Sequence, residues 1–168
     1  LLSPMKTIEW RDGKVRFLDQ TRLPRDETYI ETSDYRVIAD AIRSLKIRGA
    51  PLIGIAAAYG VALVPNHPHA ATPLNDQVAA AIEHLSATRP TAVNLFSALD
   101  RMRGILRGRE GDADLARRAL AEARSIHGED ERMCRAIGSH GQALIPDPAV
   151  IVTHCNAGAL ATGGIWTA

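Results

Sequence analysis

A cysteine near the end of the sequence has the surroundings of a reactive thiol. Cys155 follows the apolar run 149–152, which is typical of a buried strand, and precedes a turn of small residues and glycines, 156–164. A thiol beside a strand end and a predicted helix start has the surroundings that lower a cysteine pKa. The alternative is a small cysteine packed against a sheet. Cys155 is therefore a candidate functional residue.

Two arginines stand at predicted helix starts that contain proline, Arg48–Pro51 and Arg89–Thr91. An arginine beside a helix N-terminus combines a fixed charge with free backbone N–H groups and the positive end of the helix dipole. Gly49 and Ala50 leave room for an anion to approach the backbone. The pattern favours a phosphate site. The alternative is a pair of ordinary helix starts with solvated arginines.

The cysteines and histidines of the sequence indicate neither a metal site nor a disulfide. The two cysteines, Cys134 and Cys155, lack the C-x-x-C spacing of a redox or zinc site, so we expect reduced thiols in a cytosolic protein. Cys134 lies within a predicted helix, where a structural role is favoured. The six histidines show no H-x-x-x-H pairing and no pattern with nearby carboxylates, so no metal ion is expected.

The elements that would position these residues begin with a small sheet. In the stretch 6–24, apolar residues alternate on either side of Asp12-Gly13, a dipeptide that favours a tight hairpin turn. The stretch Thr28–Thr32 adds a third predicted strand. Ser33 or Asp34 is the expected N-cap of a first helix, because apolar residues follow at helical spacing.

Further helices are predicted along the rest of the chain. The apolar stretch 51–64 is too short to span a bilayer and fits a buried helix, although the sequence does not separate a core helix from an interface helix. The three prolines of 65–73 indicate an exposed loop. Helices follow over 74–88, over 91–106 with Thr91 as N-cap, and from Asp112 to about Leu144, where Gly128, Gly138 and Gly141 are candidate breaks.

This order predicts two domains of different class. Residues 1–144 form an α+β unit, a small antiparallel sheet plus a helical subdomain. Residues 145–168 are the first strand and loop of an α/β, Rossmann-like domain. Its parallel sheet needs further strands and covering helices. We therefore expect the chain to be incomplete at Ala168, inactive alone, and disordered or paired with a second chain from Ala149 onward.

Net charge and composition indicate which kinds of partner the chain binds. The formal net charge is +1 and aromatic residues are 4%, so neither a basic surface nor base stacking favours nucleic-acid binding. The first ten residues lack the basic and apolar segments of a secretory signal. We expect a cytoplasmic protein that binds a small molecule and neither nucleic acid nor membrane.

Three segments carry a family resemblance: IRGAPLIGIAAAYG, TRPTAVNLFSALDRM and VTHCNAGALATGG. Together they resemble the methylthioribose-1-phosphate isomerase family, which is related to ribose-1,5-bisphosphate isomerase and to the regulatory subunits of translation initiation factor 2B. The resemblance covers about the first half of a family member. It departs at Trp166, where the family has glycine.

The resemblance implies a function and a site. The activity would convert 5-methylthioribose 1-phosphate to 5-methylthioribulose 1-phosphate in methionine salvage, in a homodimer, without cofactor or metal. Arg48, Gly49, Ala50 and Arg89 would bind substrate, and Cys155 would be catalytic, with a partner aspartate in the second half. The alternatives are a ribose-1,5-bisphosphate isomerase, a non-catalytic regulatory subunit that binds sugar phosphates or nucleotides, and an inactive fragment.

Overall fold

In the part of the chain that the structure describes, a small antiparallel sheet packs on five α-helices. The computed structural model describes residues 5–106, 114–154 and 157–164. The strands are β1 (Ile8–Arg11), β2 (Lys14–Leu18) and β3 (Tyr29–Thr32), and β2 lies in the middle of the sheet. The predicted N-terminal antiparallel sheet is confirmed.

The hairpin between β1 and β2 closes through the predicted Asp12-Gly13 turn. Both residues have positive φ, 48° and 78°, which is the conformation that matches the twist of the two strands. The turn sets the register Ile8↔Phe17. Because side chains alternate between faces, this register buries Ile8, Val15 and Phe17 on the face towards the helices.

Helix α1 (Tyr35–Arg43) begins where the sequence predicts. Asp34 is its N-cap, and the Asp34 carboxylate accepts from the backbone N–H of Arg36 at 2.9 Å. Ile38 and Ile42 lie one turn apart and are fully buried. Capping therefore sets the start of the helix, and its apolar face holds it on the core.

Helix α2 (Ala50–Asn66) is the centre of the core. It contacts the other four helices as well as β1 and β2, and every residue from Leu52 to Pro65 is buried. The predicted loop 65–73 begins later than expected, because α2 continues through Pro65 to Asn66. The side-chain amide of Asn66 donates to the Ala62 carbonyl at 2.8 Å in this last turn.

The remaining helices are α3 (Leu74–Ser86), α4 (Val93–Leu106) and α5 (Leu115–Gly141). Thr91 is not the N-cap of α4. The helix begins at Val93, and the carbonyl of Ala92 accepts from the N–H groups of Leu95 and Phe96, so Ala92 holds the cap position.

Helix α5 has 27 residues and runs without a break through Gly128 and Gly138. Each glycine in a helix interior costs only about 1 kcal/mol, and the packing of α5 against α2 and α4 offsets that cost. The helix ends at Gly141 and a 3-10 turn follows, Gln142–Leu144.

The chain after α5 differs from the prediction of a strand. Residues 149–154 have no helix or strand, and Val150 and Val152 are 97% and 89% exposed. A strand needs a neighbouring strand to pair with, and in the described residues none lies beside this stretch. The predicted strand and the Rossmann-like character of residues 145–168 are not confirmed, and the domain division at residue 144 stays a prediction.

Candidate active site

The predicted anion site at Arg48 lies at the start of α2. Gly49 is the N-cap of the helix with φ +103°, and Pro51 lies in the first turn. Arg48 is exposed, and its Nε donates to Gln20 Oε1 at 3.3 Å. Gln20 is only 3% exposed, so a buried amide directs this guanidinium.

The segment that follows Cys155 packs on this helix start. Residues 157–164, here called the docked segment, contain a 3-10 turn, Ala159–Ala161, and all of them except Ala157 are buried or half-buried. A Cβ on Gly49 would stand 2.4 Å from the Cα of Ala161. The docked segment therefore occupies the side of Gly49 where a side chain would stand, and the substrate-binding role of Arg48, Gly49 and Ala50 stays a prediction. We expected disorder or pairing with a second chain from Ala149 onward, whereas residues 157–164 pack on other parts of the same chain.

Two side chains near the sheet hold carbonyl groups of the docked segment. The Gln20 amide donates to the Leu160 carbonyl at 2.7 Å, and the Thr7 hydroxyl donates to the Thr162 carbonyl at 3.1 Å. Gln20 thus contacts both Arg48 and Leu160. It links the predicted phosphate-binding arginine to the backbone downstream of Cys155.

Helix α5 holds the docked segment from the other side. The Gly163 N–H donates to Asp130 Oδ2 at 2.7 Å, and His127 Nε2 lies 2.7 Å from the Gly163 carbonyl oxygen. The Tyr59 hydroxyl lies 2.9 Å from His127 Nδ1. Burial raises the pKa of Tyr59 to about 12, so this hydroxyl keeps its proton at neutral pH.

The predicted catalytic residue Cys155 and its neighbour Asn156 lie outside the described residues, as does Trp166. On either side of these two residues in the sequence, the structure describes the exposed stretch 149–154 and the docked segment. The other cysteine, Cys134, lies on α5 and is 1% exposed. Burial raises its pKa, which agrees with the structural role predicted for it.

The second arginine of the prediction, Arg89, precedes α4 and is half-buried. Its side chain makes no hydrogen bond or ion pair with any described residue. The first turns of α2 and α4 pack closely, since a Cβ on Gly54 would stand 2.7 Å from the Asn94 carbonyl oxygen. Both arginine-bearing helix starts therefore lie at the same end of the helical layer.

A hollow of about 270 Å³ lies between these helices and α5. Its lining includes Pro51, Asn94, Arg101, Asp130 and Met133. Asp130 also holds the docked segment, so the hollow borders it. Within residues 5–106, 114–154 and 157–164, no three potential ligands among His, Cys, Asp and Glu are grouped for a metal ion. Over the same ranges, no helix has the length and apolar character to cross a membrane.

Sequence reasoning missed four residues that bind the docked segment, Thr7, Gln20, His127 and Asp130, and it also missed Tyr59, which binds His127. Of these, the pair on α5 had a local signal. His127 and Asp130 are three residues apart, which places them on one face of a helix. Gln20 lies outside the three segments that carry the resemblance, and its residue type alone indicates no role.

The chain is similar to characterised proteins along nearly its whole length. It is 50% identical over 167 residues to the methylthioribose-1-phosphate isomerase of Geobacter sulfurreducens and 51% identical to that of Geobacter metallireducens. Each alignment covers 97% of this chain and 48% of the relative. The chain thus spans about half the length of the curated relatives it matches.

Two solved structures are also similar to this chain. The crystal structure of 5-methylthioribose 1-phosphate isomerase from Pyrococcus horikoshii has a TM-score of 0.88 and 36% identity, covering 96% of this chain and 46% of that one. The translation initiation factor eIF-2B, subunit delta, from A. fulgidus has a TM-score of 0.81 and 38% identity, covering 94% and 47%. Residues 46–168 match the initiation factor 2 subunit family. The chain belongs to the initiation factor 2 subunit family.

Proposed function

We propose that this chain supplies the N-terminal part of an aldose–ketose isomerase that converts 5-methylthioribose 1-phosphate to 5-methylthioribulose 1-phosphate. The observation that carries the proposal is the packing of the docked segment on the Arg48–Gly49 helix start. This packing brings the segment downstream of Cys155 next to Arg48, whose charge is suited to binding a phosphate. Curated relatives at about 50% identity that bear the isomerase name support the same activity.

The proposed chemistry moves a carbonyl from C1 to C2 of a sugar whose anomeric oxygen carries phosphate. The ring must open, a proton or hydride must move between adjacent carbons, and a developing oxyanion must be stabilised. Arg48 and the N–H groups at the start of α2 would bind the phosphate, with Ala50 beside them and Arg89 contributing from the start of α4. Cys155 would be the catalytic thiol.

The resemblance assigns the partner aspartate to the second half of the family's chain, so residues 1–168 alone are proposed to be inactive. We propose a cytoplasmic homodimer that acts in methionine salvage without a cofactor. A second candidate is a non-catalytic sugar-phosphate or nucleotide-binding subunit, which the likeness to the A. fulgidus initiation factor subunit favours. Such a subunit has no need of a cysteine at position 155.

The test is turnover of 5-methylthioribose 1-phosphate by the intact gene product that contains this chain. Cys155→Ala should reduce kcat by about a thousandfold or more without changing the circular dichroism spectrum. Cys134→Ala is the matched control, and it should keep near-wild-type kcat. Turnover of ribose 1,5-bisphosphate without turnover of 5-methylthioribose 1-phosphate would make ribose 1,5-bisphosphate the substrate. Binding of sugar phosphate without turnover would favour the regulatory subunit, and full activity of Cys155→Ala would remove Cys155 from the mechanism.

A further inference from the structure

Gln20 contacts both the proposed phosphate arginine and the docked segment. Its side-chain oxygen accepts from Arg48 Nε at 3.3 Å, and its side-chain nitrogen donates to the Leu160 carbonyl at 2.7 Å. We propose that Gln20 is a positioning residue that directs the guanidinium of Arg48 towards the phosphate of the substrate. The inference rests on the proposed function, because it assigns Gln20 to the phosphate site of that reaction.

The orientation of the Gln20 amide follows from its two partners. A carbonyl oxygen only accepts, so the amide nitrogen of Gln20 faces Leu160. The Nε of an arginine only donates, so the amide oxygen of Gln20 faces Arg48. A single orientation of the amide meets both requirements. Because the docked segment binds the amide nitrogen, the amide oxygen is the atom left to accept from Arg48.

The backbone of Gln20 is fixed on the loop that leads to Arg48. The Gln20 N–H donates to the Lys46 carbonyl at 3.1 Å. Beside it, the Asp19 carboxylate accepts from the backbone N–H and the hydroxyl of Thr21, at 3.0 and 2.6 Å. Asp19 and Gln20 are 5% and 3% exposed, so little water competes for these bonds. The fold itself therefore sets the position of the Gln20 side chain.

The bond to Gln20 leaves the two terminal nitrogens of the Arg48 guanidinium for a ligand. These nitrogens make no hydrogen bond or ion pair with any residue in 5–106, 114–154 and 157–164. They can donate in parallel to two oxygens of one phosphate. Arg48 is exposed and precedes α2, where the first N–H groups and the helix dipole also favour an anion. Gln20 thus fixes one side of the guanidinium, and the other side stays available to substrate.

Directing an arginine before the substrate arrives strengthens binding. An exposed arginine without a partner adopts many rotamers, and ordering such a side chain on binding weakens an affinity by roughly two- to tenfold. In this fold, the bond to Gln20 restricts Arg48 before substrate binds. Loss of the Gln20 amide should therefore weaken binding of the phosphate ester. The loss should matter only while Arg48 is present.

The experiment is a double-mutant cycle in the intact gene product, built from Gln20→Met, Arg48→Ala and their combination. Methionine is close to glutamine in shape but has no N–H donor and only a weak acceptor. Gln77→Met is the matched control, since Gln77 is a half-buried glutamine of α3 whose side chain binds His69 and Thr72 in the loop after α2. The measurements are kcat and KM for 5-methylthioribose 1-phosphate, its dissociation constant by calorimetry, and the urea midpoint of each variant.

We expect Gln20→Met to raise KM and the dissociation constant by roughly three- to tenfold and to change kcat by less than about threefold. Arg48→Ala alone should raise KM by about tenfold or more. In the Arg48→Ala background, Gln20→Met should change KM by less than about twofold, because the side chain it directs is gone. Gln77→Met should leave KM within about twofold of the wild type. Should Gln20→Met not fold, Gln20→Asn, whose amide lies one methylene closer to the backbone, should give changes in the same directions.

Two results would overturn the inference and leave the proposed function intact. An unchanged KM in Gln20→Met, together with a raised KM in Arg48→Ala, would show that Arg48 binds substrate without Gln20. Equal effects of Gln20→Met in the wild-type and Arg48→Ala backgrounds would show that Gln20 acts independently of Arg48.

Other results would refute the proposed function instead. An unchanged KM in Arg48→Ala would remove the phosphate site and the role of Gln20 with it. A wild type that binds the sugar phosphate without turnover would refute the isomerase, and the four dissociation constants of the cycle would still decide whether Gln20 acts through Arg48.

Discussion

Gly49 lies so close to Ala161 that no side chain fits between them. A Cβ on Gly49 would stand 2.4 Å from the Cα of Ala161 and 2.7 Å from its carbonyl oxygen. The φ of Gly49 is +103°, which disfavours any residue with a side chain. One position thus serves as the N-cap of α2 and as the contact surface for the docked segment.

Gly49→Ala should release the docked segment and destabilise the fold by about 1–3 kcal/mol, because steric overlap adds to an unfavourable φ. The measurements are chemical denaturation and hydrogen exchange of residues 157–164. Gly138→Ala is the matched control. Nothing lies within 4 Å of a Cβ on Gly138 in α5, so alanine should stabilise that helix by about 0.5–1 kcal/mol. Equal effects of the two substitutions would contradict the proposed role of Gly49.

Arg48→Ala should raise KM for the sugar phosphate by about tenfold or more in the intact gene product, since an arginine–phosphate contact contributes to substrate binding. The effect on kcat should be smaller unless positioning suffers. The control is Arg43→Ala, which removes an exposed arginine of α1 that pairs with Asp40 at 3.1 Å. The measurement is KM and kcat of both variants from steady-state kinetics. An unchanged KM for Arg48→Ala would count against the phosphate site.

The ion pairs between α4 and α5 should make stability depend on pH below neutrality. The guanidinium of Arg101 lies 2.7 Å from Glu122 Oε1 and 2.9 Å from Glu129 Oε1. Arg101 and the Ser125 hydroxyl lower the pKa of Glu129 to about 2 from its ordinary value of 4.5. The fold therefore favours the ionised carboxylate. This stabilisation is complete above pH 4.5 and is lost as the pH falls towards 2.

Glu129→Gln should lower the free energy of unfolding at pH 7 by no more than about 0.5–1 kcal/mol, because the Glu129 side chain is 45% exposed and water screens the pair. The difference from the wild type should vanish near pH 2. Glu83→Gln on α3 is the control, since Glu83 is exposed and its side chain forms no ion pair in the described part of the chain. Urea titrations at several pH values measure both. A difference that is the same at pH 2 and pH 7 would contradict the assignment.

Cys134 should be an unreactive thiol in the native protein. It is 1% exposed, and burial and the nearby Asp130 raise its pKa, so little thiolate is present at neutral pH. In a Cys155→Ser background it is the only thiol of this chain. Alkylation by iodoacetamide at pH 8 should then be at least about 100-fold slower in the native state than in urea. Similar rates in both states would show that Cys134 is accessible.

Local chemistry made several elements predictable from the sequence. The Asp12-Gly13 turn, the Asp34 N-cap and the periodic apolar residues of α1 and α3 depend on neighbours within one element, so spacing alone places them. Thr91 shows the limit of this reasoning. It is a residue type that caps helices, yet α4 begins at Val93, because the turn formed by Arg89 and Ala92 comes first.

Contacts between distant parts of the chain could not be predicted from local sequence patterns. Tyr59 and His127 are separated by 68 positions, and His127 and Gly163 by 36. Nothing in the spacing of these residues indicates that they meet. They meet because α2 and α5 pack together and the docked segment crosses both.

The sequence by itself determined the order of the strands and helices from β1 to α5 and the motifs that identify the family, whereas the anion site at the start of α2 stays a prediction. The order of these elements and the motifs depend on residue type and spacing. Only the tertiary structure decided that the apolar helix 51–64 is the core, because core and interface helices have the same composition and differ only in what surrounds them. It also decided that residues 149–154 form no strand while residues 157–164 pack firmly. A strand requires hydrogen bonds from a partner strand, whereas the docked segment finds donors, acceptors and a matching surface in Thr7, Gln20, Gly49 and α5.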